Sequence, residues 1–139
     1  MILPPYVKPY PSFFKHLHIF SEKGFNFRKT IFLNKKIYED LKKDKPSDVN
    51  IAILMHEEIH LKRIKNKGVN SWGFKYLFSP KFRLNEELLA YEVMFRFLKS
   101  KGLSYDLERV ARAMSGHRYL WVKSYGEAKK LLEDLWKSA

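Results

Sequence analysis

The run HEEIH at positions 56–60 constrains this chain most, because it lies inside a long stretch with helical spacing of apolar residues. Residues four positions apart on a helix share one face, so His56 and His60 can bind a single metal ion together. Glu57 then lies beside a water on that ion and can act as its general base. The run therefore predicts a metal site whose third protein ligand comes from elsewhere in the chain.

The composition narrows the kind of metal site and the class of protein. The chain contains no cysteine, so disulfides and thiolate ligands are excluded, and the ligands must be histidine and carboxylate. Its 139 residues, 45% of them hydrophobic, are enough for one domain with a core. No apolar run approaches the length of a membrane span, and no secretory signal pattern follows Met1. We therefore expect a soluble, cytoplasmic protein without a membrane span.

The first part of the chain is expected to be extended. Residues 1–12 are rich in proline, which lacks the amide donor of a helix or a central strand, so we interpret them as an extended arm. Residues 13–139 are interpreted as a single domain. Aromatic and β-branched residues at 13–20 and 25–33, around a turn that includes Gly24, predict a β-hairpin. His16 and His18 share one face of its first arm and are weaker candidates for metal ligands than the helical pair.

Capping signals combined with helical spacing of apolar residues predict four to five helices in the rest of the chain. They cover about residues 35–43, 48–67, 84–101 and 104–116, and a last helix follows the capping box at 124–127. Residues 68–83, which are rich in aromatic side chains, are interpreted as a connection that caps the core. The expected fold is α+β, with a small antiparallel or mixed β-sheet packed on these helices.

The third ligand is expected on the helix at 84–101, which carries three glutamates. At about 100° per residue, Glu87 falls in the middle of the apolar stripe, whereas Glu86 lies at its border and Glu92 on the polar face. An ionised carboxylate in an apolar face is unfavourable by several kcal/mol unless a cation or hydrogen bonds compensate it. A zinc ion would do so at Glu87, and an ion pair with arginine or lysine is the alternative.

These residues resemble the zincin metallopeptidases of the gluzincin type, in which an HExxH helix is followed by a glutamate in an ExxA or ExxxD helix. The resemblance covers about residues 13–101 and includes the sequence ELLA at positions 87–90. It implies a zincin-like fold, one zinc ion per chain held by His56, His60 and Glu87, and hydrolysis of a peptide or protein substrate. Position 91 is tyrosine where ExxxD members have aspartate, so another acceptor must orient the ligand histidine. Arginine at position 63 and asparagine at position 66 exclude the extended metzincin motif.

Peptide hydrolysis also needs a donor to the oxyanion, and the sequence offers four candidates without distinguishing among them: Tyr76, Tyr91, His117 and Tyr119.

The formal net charge of +12 supports an alternative function. Such a charge favours an acidic partner, which could be nucleic acid, an anionic membrane surface or an acidic protein, although scattered lysines also serve solubility alone. Aromatic and basic residues interleave at 72–76, a composition typical of a surface on which bases stack. The alternative is a nucleic-acid-binding or partner-binding module with a structural or degenerate zinc site. A fourth protein ligand favours this alternative, whereas an open fourth position favours the enzyme.

Overall fold

The computed structural model of the chain describes residues 1–11, 24–27, 29–116, 119 and 122–139. Within these residues the fold is α+β, with six helices and one mixed three-stranded sheet. The strands are β1 (Val7–Pro9), β2 (Gly24–Phe27) and β3 (Thr30–Leu33). The helices are α1 (Lys35–Leu41), α2 (Asp48–Lys67), α3 (Val69–Phe78), α4 (Pro80–Ser100), α5 (Leu107–Met114) and α6 (Tyr125–Ser138). The expected α+β class is confirmed, and α3 adds a helix where a connection was predicted.

β3 lies in the middle of the sheet, antiparallel to β2 and parallel to β1. Within the predicted second arm at 25–33, Thr30–Leu33 is an inner strand, as its uninterrupted apolar sequence predicts, but 25–27 belongs to a separate strand, because Phe27 pairs with Thr30 and the chain reverses between them. No glycine, proline, asparagine or aspartate occupies positions 28 and 29, so the sequence gives no signal for this turn. The predicted first arm of the hairpin, with His16 and His18, lies outside the described residues.

Part of the proline-rich N-terminal segment is extended and forms the edge strand β1, but a turn precedes that strand, in which the main-chain N–H of Val7 donates to the carbonyl of Pro4 at 2.9 Å. The main-chain N–H of Ile31 donates to the carbonyl of Tyr6 at 2.8 Å, and that of Tyr10 donates to the carbonyl of Leu33 at 2.9 Å. An edge position tolerates Pro9, since one side of an edge strand makes no ladder hydrogen bonds. The arm is thus tied to the sheet by its main chain.

Helix boundaries follow their capping residues. The side chain of Asn34 caps α1 by accepting from the main-chain N–H of Lys36, and the predicted capping box at the start of α6 is formed by Ser124 and Glu127. The predicted start of α5 at Ser104 is displaced, because Asp106 is the residue whose side chain caps this helix. α2 has the predicted bounds, whereas α4 begins earlier than predicted, at Pro80. No described helix is long and apolar enough to cross a membrane.

The hydrophobic core lies between the sheet and the helices, and it fixes how α2 and α4 face each other. The first half of α2 is buried through Ile53 and Leu54, as its almost uniformly apolar sequence predicts. The stripe on α4 predicted to be buried contributes Met94 and Leu98. α2 and α4 pack directly on one another, so the polar residues further along their buried faces come together inside the protein. Other buried core residues are Val7, Ile31, Leu33, Leu41, Phe95, Val110, Met114 and Leu132.

Candidate metal centre

Two successive turns of α2 and one turn of α4 bring three side chains together, which we call the triad: His56, His60 and Glu87. The Nε2 atoms of the two histidines lie 3.2 Å apart. Glu87 places Oε2 3.5 Å from Nε2 of His56 and Oε1 3.4 Å from Nε2 of His60. All three residues are buried, so the helical spacing of the sequence brings together the residues predicted to be ligands.

The separations within the triad suit a tetrahedral metal ion. Metal–ligand bonds of about 2.0–2.1 Å in a tetrahedron place neighbouring ligand atoms about 3.3 Å apart, close to the three distances observed. Two neutral imidazoles whose Nε2 atoms face each other can share at most one hydrogen. Oε2 of Glu87 is buried and has no hydrogen-bond partner within the described part of the chain. The three side chains therefore do not complete one another's hydrogen bonds, and a cation such as zinc bound between them would occupy the unpaired atoms.

The triad also favours the ionised form of its carboxylate. Burial raises the pKa of Glu87, but the adjacent imidazoles of His60 and His56 lower it more, so this pKa lies well below its ordinary value. Burial lowers the pKa of His60, whereas the charge of Glu87 and its contact raise it, and the pKa ends above its ordinary value. An ionised carboxylate beside basic imidazoles can bind a divalent cation, and binding of the cation displaces protons from the imidazoles.

Glu57 is buried next to the triad, and β2 holds it in place. The side-chain amide of Asn26 donates to Oε2 of Glu57 at 2.8 Å and to its main-chain carbonyl at 3.0 Å. Burial raises the pKa of Glu57 above its ordinary value, although the charges of His56 and His60 oppose the rise. A carboxylate with a raised pKa is suited to proton transfer near neutral pH. Asn26 was not identified from the sequence, since one asparagine in a strand carries no signal.

His56 packs against an aromatic ring at the position where ExxxD members have the aspartate. Tyr91 lies where ExxxD members have aspartate, and its ring packs on that of His56 with centroids 4.4 Å apart. The Nδ1 atoms of His56 and His60 have no hydrogen-bond partner among the residues that the structure describes. None of these residues therefore takes the place of the missing aspartate as an acceptor that would fix the imidazole tautomer.

One predicted oxyanion donor contacts the triad. The hydroxyl of Tyr76 donates to Oε1 of Glu87 at 2.5 Å, and burial raises the pKa of Tyr76 well above its ordinary value, so the hydroxyl keeps its proton. The hydroxyls of Tyr91 and Tyr119 lie 3.5 Å from each other, and burial raises the pKa of both. His117 lies outside the described residues.

Glu86 differs from its predicted environment. The prediction leaves its side chain at the border of the apolar stripe, with access to solvent, but it is only 1% exposed. Arg63 on α2 donates to both of its oxygens, from Nε to Oε2 and from Nη2 to Oε1, the latter at 2.7 Å. Nε1 of Trp72 on α3 donates to it at 3.1 Å. The ion pair considered for Glu87 is therefore formed by Glu86, and α3 is the element that covers it.

Arg83 is a further buried residue that the sequence analysis missed. It is 2% exposed, and its guanidinium donates to the main-chain carbonyls of Tyr76, Leu77 and Tyr119. It therefore joins the end of α3 to residue 119 and fixes the turn that carries Tyr76. Arg83 lies four residues before Glu87 and therefore on the same buried face of α4. This helical spacing is the sequence signal by which its burial could have been predicted.

The function of the chain has to be inferred from the geometry of the site, because comparisons with known proteins found no match. No family model, curated protein or solved structure matches the chain. What stands is an α+β fold with a buried His/His/Glu group that could hold a metal ion.

Proposed function

We propose that the protein is a zinc-dependent metallopeptidase with a zincin-like fold, and that it hydrolyses peptide bonds in a peptide or protein substrate. The observation that carries the proposal is the buried triad, with ligand atoms at tetrahedral spacing and Glu57 beside it on the same helix. The gluzincin-like HExxH and ExxA sequences supply the type of reaction. Three described side chains form the metal-ligand group, which is the number expected for a catalytic rather than a structural zinc site.

Each residue of the site has a defined part in this reaction. Zinc held by His56, His60 and Glu87 would supply a Lewis acid that acidifies a water and polarises the scissile carbonyl. Glu57 accepts the proton of the attacking water and later delivers it to the leaving amine. Asn26 engages Oε2 of Glu57, which leaves Oε1 as the oxygen that takes the proton.

Tyr76 is our candidate for the donor to the oxyanion. Its hydroxyl already contacts Glu87, and its raised pKa keeps the proton available for donation. Tyr91 instead packs against the ring of His56, so its contribution is to orient that ligand.

The proposal is tested by zinc analysis and by a cleavage screen against peptides derived from a proteome. We expect about one zinc per chain, as for a single three-ligand site, and loss of that zinc in His56→Ala and His60→Ala. Glu57→Gln should keep zinc but lose cleavage by a factor of about 100 or more, because an amide cannot accept the proton. Glu58→Gln is the matched control, since Glu58 is the next residue on α2 and contacts Tyr6 rather than the triad. Full zinc occupancy after both histidines are replaced, or cleavage by Glu57→Gln at the parental rate, contradicts the proposal.

The nucleic-acid-binding alternative has less support, because its expected stacking surface is partly buried. Trp72 is 9% exposed and stacks on Tyr76 with centroids 4.6 Å apart. Both side chains are directed toward Glu86 and Glu87, with which they form hydrogen bonds. Of the aromatic residues at 72–76, this leaves Phe74 on the surface.

A further inference from the structure

The outer face of α3 carries an exposed apolar patch formed by Phe74, Leu77 and Phe78, which we call the α3 patch. Their exposed fractions are 66%, 57% and 71%. The rings of Phe74 and Phe78 lie one helical turn apart, with centroids separated by 4.7 Å, so they form a continuous surface. On the inner face, Trp72 is buried and Tyr76 contacts the triad. The helix is thus anchored by one face while the other presents its largest apolar side chains to solvent.

The α3 patch lies within a stretch of the chain that contains no acidic residue. Residues 61–84 include seven basic residues and no aspartate or glutamate. Two of the seven are engaged inside the protein, Arg63 with Glu86 and Arg83 with main-chain carbonyls. The other five are exposed: Lys62, Lys65, Lys67, Lys75 and Lys81. Along the chain, the α3 patch therefore lies among exposed basic residues, with Lys75 on α3 itself and Lys81 three residues after the end of that helix.

We propose that the α3 patch docks the protein on an anionic lipid surface. Phenylalanine and leucine side chains insert at the boundary between headgroups and acyl chains, while neighbouring lysines remain at the level of the anionic headgroups. The patch lies on the outer, exposed face of α3. An exposed apolar helix face suits a deformable lipid interface, whereas small ligands are bound in concave pockets. The net charge of +12 adds a long-range attraction to the same surface.

Two other occupants fit the patch less well. Single-stranded nucleic acid binds through planar side chains on which successive bases stack, and Leu77 offers no such plane. A second copy of this chain would bring together two faces flanked by lysines, and the large net charge opposes that association. Lipid is the partner whose apolar and anionic parts match both features of the patch.

Cosedimentation with vesicles tests the proposal on the full chain, with zinc and with chelator, since docking is independent of the metal site. We expect binding to vesicles of phosphatidylcholine mixed with phosphatidylserine, little binding to phosphatidylcholine alone, and release as salt increases. The double variant Phe74→Ser/Phe78→Ser should bind at least about tenfold more weakly, because two inserted apolar side chains are lost. Phe27→Ser is the matched control, since Phe27 is a phenylalanine of β2 that is 50% exposed outside the patch.

A second pair of variants tests the charge separately. Each lysine near an anionic surface strengthens binding by about fivefold, so Lys75→Gln/Lys81→Gln should bind about 25-fold more weakly. Lys130→Gln/Lys137→Gln removes the same charge from exposed positions on α6 and should have little effect. α6 contacts the C-terminal end of α4, whereas α3 contacts the N-terminal part of that helix.

Several results overturn the proposal. Equal binding to neutral and anionic vesicles removes the role of charge, and equal losses in the patch variants and their controls remove the role of α3. Single-stranded DNA binding that depends on Phe74 and Phe78 more strongly than vesicle binding does would assign the patch to nucleic acid. A dimer that dissociates in the double serine variant would assign it to a second copy.

Discussion

Glu86 and Glu87 are neighbours on α4, and both are buried against basic side chains of α2. They differ in how many of their carboxylate oxygens have a hydrogen-bond partner. Glu86 accepts three hydrogen bonds, two from Arg63 and one from Trp72. Glu87 accepts one from Tyr76, and its Oε2 has no hydrogen-bond partner in the described part of the chain. A carboxylate that the protein itself completes stabilises the packing of helices. One that faces two imidazoles and stays incomplete is a place where a cation can bind.

Zinc affinity tests this contrast most strongly. Glu87→Gln should weaken zinc binding by at least about tenfold, because an amide is a poorer ligand than a carboxylate. Glu86→Gln changes the adjacent residue in the same way and should leave the affinity close to that of the parent protein. Both are measured by competition with a chromophoric chelator. A loss in Glu86→Gln with no loss in Glu87→Gln would show that the two glutamates have been assigned to the wrong sites.

Stability of the metal-free protein should show the reverse order. Glu86→Gln should lower the free energy of unfolding by about 2 kcal/mol, since Arg63 loses its ionised partner but is partly exposed and regains some hydration. Glu87→Gln should cause a smaller loss, because it keeps a partner for the hydroxyl of Tyr76 and His60 can become neutral beside an amide, whereas Arg63 stays charged when Glu86 is replaced. Glu92→Gln, which breaks an exposed pair with Arg96, should stay within about 0.5 kcal/mol of the parent. Urea unfolding in the presence of chelator measures all three, and a larger loss in Glu87→Gln than in Glu86→Gln would contradict the contrast.

Acid should remove the contribution of the Glu86 pair. Burial raises the pKa of Glu86, but hydrogen bonds from Arg63 and Trp72 lower it more, so this pKa lies below its ordinary value of 4.5. A lowered pKa means that the pair stabilises the fold above pH 4.5 and loses this contribution as the pH falls toward the folded-state pKa. The difference in unfolding free energy between the parent and Glu86→Gln should therefore shrink below that pH. A difference that stays constant into acid would show that the carboxylate is not ionised in the fold.

A smaller loss of stability than in Glu86→Gln is expected at Trp72. Trp72→Phe keeps an aromatic ring against Tyr76 but removes the indole N–H that donates to Glu86, so stability should fall by about 1 kcal/mol. Thermal unfolding measures the loss, and zinc affinity serves as the internal control because it should not change. A fall in zinc affinity of the same size as in Glu87→Gln would mean that the two carboxylates behave as one unit.

The grouping of the triad was predictable because helical periodicity alone decides which side chains share a face. His56 and His60 are four residues apart, and Glu87 lies in the centre of the apolar stripe of α4, so the packing of two amphipathic helices brings the three together. Asn26 was not predictable in this way. It reaches Glu57 from a separate strand, and no local pattern reports which strand residue lies beside a helix.

The two main errors of prediction have one physical cause. Aromatic residues and Gly73 have low helix propensity, so residues 68–83 were interpreted as a connection. Tertiary packing overrides this preference, because Trp72 and Tyr76, four residues apart, both face α2 and α4. Once α3 was missed, nothing in the sequence indicated what covers Glu86, and its side chain was placed at a surface that α3 in fact buries.

Gly24 is the first residue of β2, the strand whose Asn26 donates a hydrogen bond to Glu57. A Cβ at this position would lie 2.8 Å from Cδ2 of Leu33, 3.2 Å from the carbonyl oxygen of Phe32 and 3.4 Å from Cγ of Glu57. A Cβ would press on the side chain of Leu33 and on the main chain of Phe32, so a larger residue would displace the start of β2 relative to β3 and move Asn26 with it. The close approach of β2 to β3 at this glycine thus fixes the position of Asn26, and through Asn26 that of the Glu57 carboxylate.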